Sequence, residues 1–156
     1  MRIRPFEVGD APACEGLLRS LPEWFGIEAA LVQYCRDLQA LETYVVPAGD
    51  GVAALVTLKR HNRFAGEIHL VAVQRARHRQ GTGRGLVRHV EGILRREGAE
   101  YLQVKTLGPS KPDGRYEGTR RFYAALGFRP LEETGLWGPE NPCLIMVKHL
   151  GCPAGP

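Results

Sequence analysis

The sequence predicts a mixed α/β fold, a single mixed sheet with helices on its faces, and three observations carry that expectation. Segments with apolar residues at helical spacing alternate with segments of period two, in the order β-αα-βββ-α-β-α-β. The 156 residues are 44% hydrophobic and 24% charged, which suits one domain able to bury a sizeable core. No repeat, linker or composition break divides them, so residues 1–150 read as a single domain and 151–156 as a disordered tail.

Arg2-Ile3-Arg4-Pro5-Phe6 alternates as a short first strand. Asp10 then caps a helix with Cys14, Leu17, Leu18 and Leu21 on one face, and Pro22 ends it. The turn Pro22-Glu23-Trp24-Phe25-Gly26 leads to a second helix with Ile27, Leu31, Tyr34, Cys35, Leu38 and Leu41. From Thr43 the period becomes two: Thr43–Val46, the turn Ala48-Gly49-Asp50-Gly51, and Val52–Lys59 form an antiparallel hairpin.

A polar loop over 60–66 leads to a third meander strand, Glu67–Val73. There Ile68, Leu70 and Ala72 share one face, and Glu67, His69, Val71 and Val73 the other. The third helix carries Leu86, Val90, Ile93 and Leu94 and stops at Gly98; Tyr101–Leu107 is the next strand. A loop with Gly108, Pro109, Pro112 and Gly114 precedes a short helix with Thr119, Phe122, Tyr123 and Leu126, closed by Gly127. A polar connection leads to the last strand, Cys143–His149.

Composition removes several function classes. No run of eighteen apolar residues exists and Met1–Phe6 lacks a signal-peptide core, so membrane and secreted classes drop out. Cysteines at 14, 35, 143 and 152 include no CxxC pair, which points to reduced thiols in a cytoplasm and to no metal. The net charge of +4 is uneven: residues 75–96 hold seven arginines against one acid, Glu91, and the remainder is net negative. Such a stretch calls for a polyanion, either nucleic acid or a phosphorylated cofactor. It contains no Phe, Tyr or Trp for base stacking, which argues against nucleic acid.

Between the third meander strand and the third helix, residues 74–85 place unpaired backbone N–H groups at a helix N-terminus, an anion cradle. Gly81 and Gly83 let the backbone approach phosphate oxygens, and Arg79 and Arg84 add charged donors. A Walker A loop would need four residues between its glycines and a following Lys-Ser/Thr, and a Rossmann fingerprint would need an early βαβ unit. Neither pattern is present. The remaining alternative is a glycine-rich turn that simply starts a helix.

Glu67-Ile68-His69-Leu70-Val71-Ala72-Val73, with the loop ending His78-Arg79-Gln80-Gly81-Thr82-Gly83, resembles the central cofactor motif of the GNAT superfamily of acyl-CoA-dependent N-acyltransferases. Phe122-Tyr123-Ala124-Ala125-Leu126-Gly127-Phe128 resembles a second signature of that family, in the same order and separation. The resemblance implies the GNAT-like fold, a central, mostly antiparallel sheet with helices on both faces, and acetyl-CoA as co-substrate. It implies that backbone amides of Arg79, Gln80, Gly81, Thr82, Gly83 and Arg84 bind the pyrophosphate, and that backbone at Val71 and Val73 pairs with the pantetheine arm as an added strand would. His78 replaces the family's usual Arg or Gln, and Tyr116 its usual Asn.

Amine acetylation needs an unprotonated amine and a proton for the departing thiolate. By resemblance Glu67 is the general base, with a solvated or ion-paired carboxylate as the alternative; His69, one pleat nearer the splay, is the second candidate. Tyr123, four residues before Gly127, falls where the family places a phenol that serves the coenzyme sulfur; its alternative is a helix aromatic packed with Phe122 and Leu126. Trp24 and Phe25 either wall the acceptor site or close the core, and Cys143 reads as a strand residue rather than a nucleophile. Glu23, Glu28, Glu117, Glu132 and Glu133 are candidates for an acidic lining that would favour cationic acceptors.

The expected activity is therefore transfer of an acetyl group from acetyl-CoA to an amine of a small molecule or protein by direct attack in a ternary complex. No nucleic-acid, membrane or metal partner is expected, and a homodimer is one assembly open to the chain. A non-catalytic acyl-CoA sensor is the competing reading, with a basic nucleic-acid-binding module behind it.

Overall fold

A computed structural model describes residues 1–151. Its strands are β1 (Arg4–Pro5), β2 (Glu42–Ala48), β3 (Gly51–Arg60), β4 (Ala65–Val73), β5 (Tyr101–Leu107), β6 (Arg129–Thr134) and β7 (Cys143–His149). The helices are α1 (Ala11–Arg19), α2 (Pro22–Phe25), α3 (Glu28–Ala40), α4 (Thr82–Arg96) and α5 (Gly114–Ala125). The strands form one seven-stranded sheet in the order β1-β2-β3-β4-β5-β7-β6. The β4–β5 pair is parallel, as expected when a helix connects two strands, while β1–β2, β2–β3, β5–β7 and β6–β7 are antiparallel.

Packing groups the described residues into two compact units. One comprises Met1–Lys59 with His69–Val90; the other comprises Arg60–Ile68 and the chain from Glu91 onward. In the first unit the apolar stripes of α1 and α3 bury Cys14, Leu17, Leu18, Leu31 and Leu38 among Val45, Val52, Leu55, Leu70 and Ala72. The C-terminal end of α3 is tied to the β2–β3 hairpin through buried hydroxyls: Thr43 Oγ1 donates to Leu38 O at 2.8 Å and lies 2.9 Å from Thr57 Oγ1. In the second unit Leu102, Phe128 and Met146 are buried, and Glu91, only 3% exposed, is held by Lys148 at 2.6 Å and Arg95 at 3.2 Å.

Several boundaries differ from expectation, each for a local reason. The first strand contracts to Arg4–Pro5, because only Arg4↔Val45 and Pro5↔Tyr44 pair with β2. Asp10 does sit at the N-cap of α1, but its carboxylate takes Arg4 at 2.7 and 2.8 Å and the Glu7 amide at 2.8 Å instead of bonding α1. Helix α1 ends at Arg19, and Pro22 opens rather than closes a helix, the short α2, where its missing N–H costs nothing. The expected turn at 22–26 is therefore largely helical.

The polar connection before β7 contains a strand, β6, which sequence reasoning missed. Its Arg-Pro-Leu-Glu-Glu-Thr sequence does not alternate because it is a sheet edge with no buried residue. Gly98 and Gly127 end their helices at φ +81° and +96°, as the stop signals require. The proposed tail lies, from Cys152 on, outside the described residues. Among the described residues no helix is long and apolar enough to cross a membrane.

Candidate active site

Strand β4 pairs with β5 over four rungs only, from Ala65↔Tyr101 to Ile68↔Val104. Its remaining residues, His69–Val73, run on beyond the last rung, with Val71 and Val73 half-buried. A single 3₁₀ turn, Arg75–Arg77, then leads to the glycine loop.

The loop is built to present amides. Gly85 N–H to Gly81 O, at 2.9 Å, is the first helical bond of α4, so the amides of Thr82, Gly83 and Arg84 precede the ladder. Arg79 and Gly81 both have positive φ, +59° and +82°, and such handed alternation turns successive N–H groups toward one concavity. Gly81 would carry a strained backbone with any other side chain, although nothing lies within 4 Å of the place its Cβ would take. The loop's own side chains brace it: His78 Nε2 bonds Val73 O at 2.7 Å and Gln80 Nε2 donates to Ala76 O at 2.6 Å. The imidazole of His78 also meets Trp24 edge-on at 6.0 Å. Arg79 and Arg84 are exposed, whereas Arg75 is paired with Glu23. The donor set, free amides at a positive helix end flanked by guanidinium groups, fits a pyrophosphate.

Glu67 is 3% exposed and its carboxylate is crowded with donors. His61 Nε2 lies 2.5 Å from Oε2, Gln103 Nε2 donates to the same oxygen at 3.0 Å, and Lys105 Nζ is 3.1 Å from both oxygens. Burial pushes the carboxyl pKa up, but these three partners outweigh it and hold it below the usual carboxylate value. Gln103 is the rung partner of Glu67, and Lys105 follows on the same face of β5. Neither they nor His61 could be assigned from sequence, because nothing local gives the register of a parallel pair.

His69 has a partner of its own. Its Nε2 is 2.7 Å from Asp37 Oδ2 on α3, and the other carboxylate oxygen of Asp37 accepts from Gln33 Nε2 at 2.8 Å. Tyr34 meets the imidazole edge-on at 5.9 Å. Both members of the pair are partly exposed, at 22% for His69 and 23% for Asp37.

Tyr123 occupies the C-terminal turn of α5 and is 3% exposed. Phe128 N–H bonds Tyr123 O at 3.1 Å and Gly127 N–H bonds Ala124 O at 3.0 Å, the paired bonds of a Schellman cap. The hydrophobic contact that accompanies such caps is the Tyr123–Phe128 ring pair, 5.4 Å between centroids. Among the described residues the hydroxyl makes no hydrogen bond, and burial raises its pKa above the ordinary phenol value. The group is held as a protonated donor.

The other candidates separate. Phe25 packs edge-on with Tyr34 at 5.8 Å, and both Trp24 and Phe25 pack on the first unit's core. Cys143 is buried with its thiol pKa pushed up by desolvation, unsuited to nucleophilic attack. Four of the acids expected to line an acceptor site have partners of their own: Glu23 with Arg75, Glu28 with Arg19, Glu117 with Arg121 and Glu133 with Ser110. Among the described residues no cluster of metal-ligating side chains occurs.

Residues 13–128 match the model of the family described as Acetyltransferase (GNAT) family. No curated protein matches the chain. Among solved structures, the chain is similar to a GNAT-family protein from Desulfovibrio desulfuricans, with a TM-score of 0.83 and 17% identity over 96% of this chain and 99% of that one. An aminoglycoside 6'-N-acetyltransferase complexed with coenzyme A gives a TM-score of 0.75 and 17% identity over 97% and 98% of the two chains. The ribosomal-protein-S18-alanine N-acetyltransferase from Escherichia coli gives 0.75 and 18% identity over 99% and 96%. At these identities the likeness is one of fold.

Proposed function

The chain belongs to the GNAT family of acetyltransferases, enzymes that use acetyl-CoA as co-substrate, and from that membership we propose that residues 1–150 form an N-acetyltransferase domain acting on an amine of a small molecule or protein. The observation that carries this reading is the glycine loop. Amides before the first helical bond of α4, two left-handed residues and exposed Arg79 and Arg84 together supply what a pyrophosphate requires. In this reading the backbone at Val71 and Val73 takes the pantetheine arm by strand addition. The cysteine usage suits a cytoplasmic setting.

The reaction is attack of the amine nitrogen on the acetyl carbonyl carbon in a ternary complex. A C–N bond forms and the C–S bond breaks. An arriving ammonium gives up two protons, one of which ends on the sulfur and one in solvent. Glu67, kept ionised by Lys105, Gln103 and His61, draws the cationic amine and its first proton; Tyr123 donates to the sulfur as it departs.

The test pairs binding with turnover. Acetyl-CoA should raise the melting temperature of the wild-type protein, and Gly83→Glu, which puts bulk and negative charge against the pyrophosphate, should abolish the shift while leaving the apo protein folded. Thiol release from acetyl-CoA with spermidine, kanamycin and an alanine-terminated peptide then reads activity. A shift without turnover would leave the sensor reading, an unchanged shift in Gly83→Glu would remove the loop from the site, and no shift in the wild type would remove acetyl-CoA binding.

A further inference from the structure

We propose that His69 is a second proton acceptor in this reaction, with Asp37 as its positioning residue; the inference rests on the acetyltransferase reading and deepens it. The chemistry asks for two acceptors, because an ammonium substrate sheds two protons while the thiolate recovers one. Glu67 is poorly placed to take both. Its oxygens already accept from His61, Gln103 and Lys105, so few lone pairs remain for a second proton.

His69 meets the requirements of a base by a different route. It is the first residue of β4 past the last rung of the β4–β5 ladder, where the strand edge becomes free. Asp37 binds Nε2, which fixes the ring orientation and leaves Nδ1 as the nitrogen able to take a proton. Gln33 holds the second oxygen of Asp37, and the Tyr34 ring edge limits rotation of the imidazole. Base, orienting carboxylate and a group that fixes the carboxylate form the arrangement a proton acceptor needs. In the step, the nitrogen of the tetrahedral adduct loses its second proton to His69 Nδ1 as the C–N bond completes. The imidazolium charge is stabilised by Asp37, and the sulfur takes its proton from Tyr123. Glu67 and His69 then each release their proton to solvent and Tyr123 takes one back, so that one proton is lost per turnover.

The experiment uses the full chain with the same three amines. His69→Gln and Asp37→Asn should each lower kcat by about tenfold to a hundredfold, with the acetyl-CoA melting shift unchanged. The double variant should be no slower than His69→Gln alone, since Asp37 acts only through the imidazole. Imidazole added to His69→Gly should restore part of the lost rate, a readout that a structural role would not move. An unchanged kcat in Asp37→Asn, an additive double variant or no imidazole rescue overturns the dyad while leaving acetyl transfer intact. A wild-type protein that binds no acetyl-CoA or acetylates none of the amines removes the acetyltransferase reading, and the dyad with it.

Discussion

Tyr123 and Glu67 are both nearly sealed from water, yet burial acts on them in opposite senses. For the phenol nothing compensates the cost of a charge, so the hydroxyl stays protonated through neutral pH and is available as a donor. Tyr123→Phe keeps the ring pair with Phe128 and removes only that donor. The variant should fold normally, keep the acetyl-CoA melting shift and lose about tenfold or more in turnover. Unchanged turnover would make the residue a packing aromatic. For the Glu67 carboxylate three donors win over desolvation, and its pKa falls below the ordinary 4.5. A lowered folded-state value means that this group's contribution to stability is complete above the unfolded value and disappears as pH falls through the folded one. Wild type should therefore exceed Glu67→Gln in stability at neutral pH, and the two denaturation curves should converge on acidification. Curves that stay parallel would show that the carboxylate network contributes nothing.

At the scale of elements, the motif around Tyr123 shows how sequence and structure inform one another. Phe122–Phe128 is singled out by its resemblance to a family signature, and the structure shows that its spacing is that of a Schellman cap: a helix, a left-handed glycine, and an apolar residue that returns to the last turn. Gly127 has φ +96°, which strains any side chain there, while a Cβ would meet the flexible Lys148 side chain at 3.4 Å. Gly127→Ala should thus cost about 1 kcal/mol or more in chemical denaturation, whereas Gly118→Ala, inside α5 and meeting no neighbour, should stabilise the protein slightly. Equal effects would deny the cap its role. The same locality made Tyr101–Leu107 and Cys143–His149 readable to the residue, since their buried alternation is written in the chain. What lay beyond reach depended on distant pairing. The meeting of Asp37 with His69, and of Lys105 with Glu67, follows from strand register and helix placement over more than thirty residues of separation, which periodicity does not encode. Strand β6 was missed for a different reason: it buries nothing, so no pattern announces it.

Over the whole molecule the basic segment resolves into groups with different tasks. Of its seven arginines, Arg75 is paired with Glu23 and Arg95 with Glu91 and Leu150 O, while Arg79, Arg84 and Arg88 are exposed. The strand order also leaves β6 at a rim of the sheet, and that rim carries exposed apolar side chains: Leu131 and Leu136 at 63% and Trp137 at 40%. An open edge next to such residues invites another chain to continue the ladder, the first step toward aggregation. Pro130 withholds a backbone donor from that edge, the register shift between Pro130 and Glu132 bends it, and adjacent Glu132 and Glu133 place like charges beside any incoming copy. The strand least visible to pattern reading is thereby the one whose composition guards an open edge, and the polar residues that disguised it are the ones that oppose extension of the ladder by a second copy.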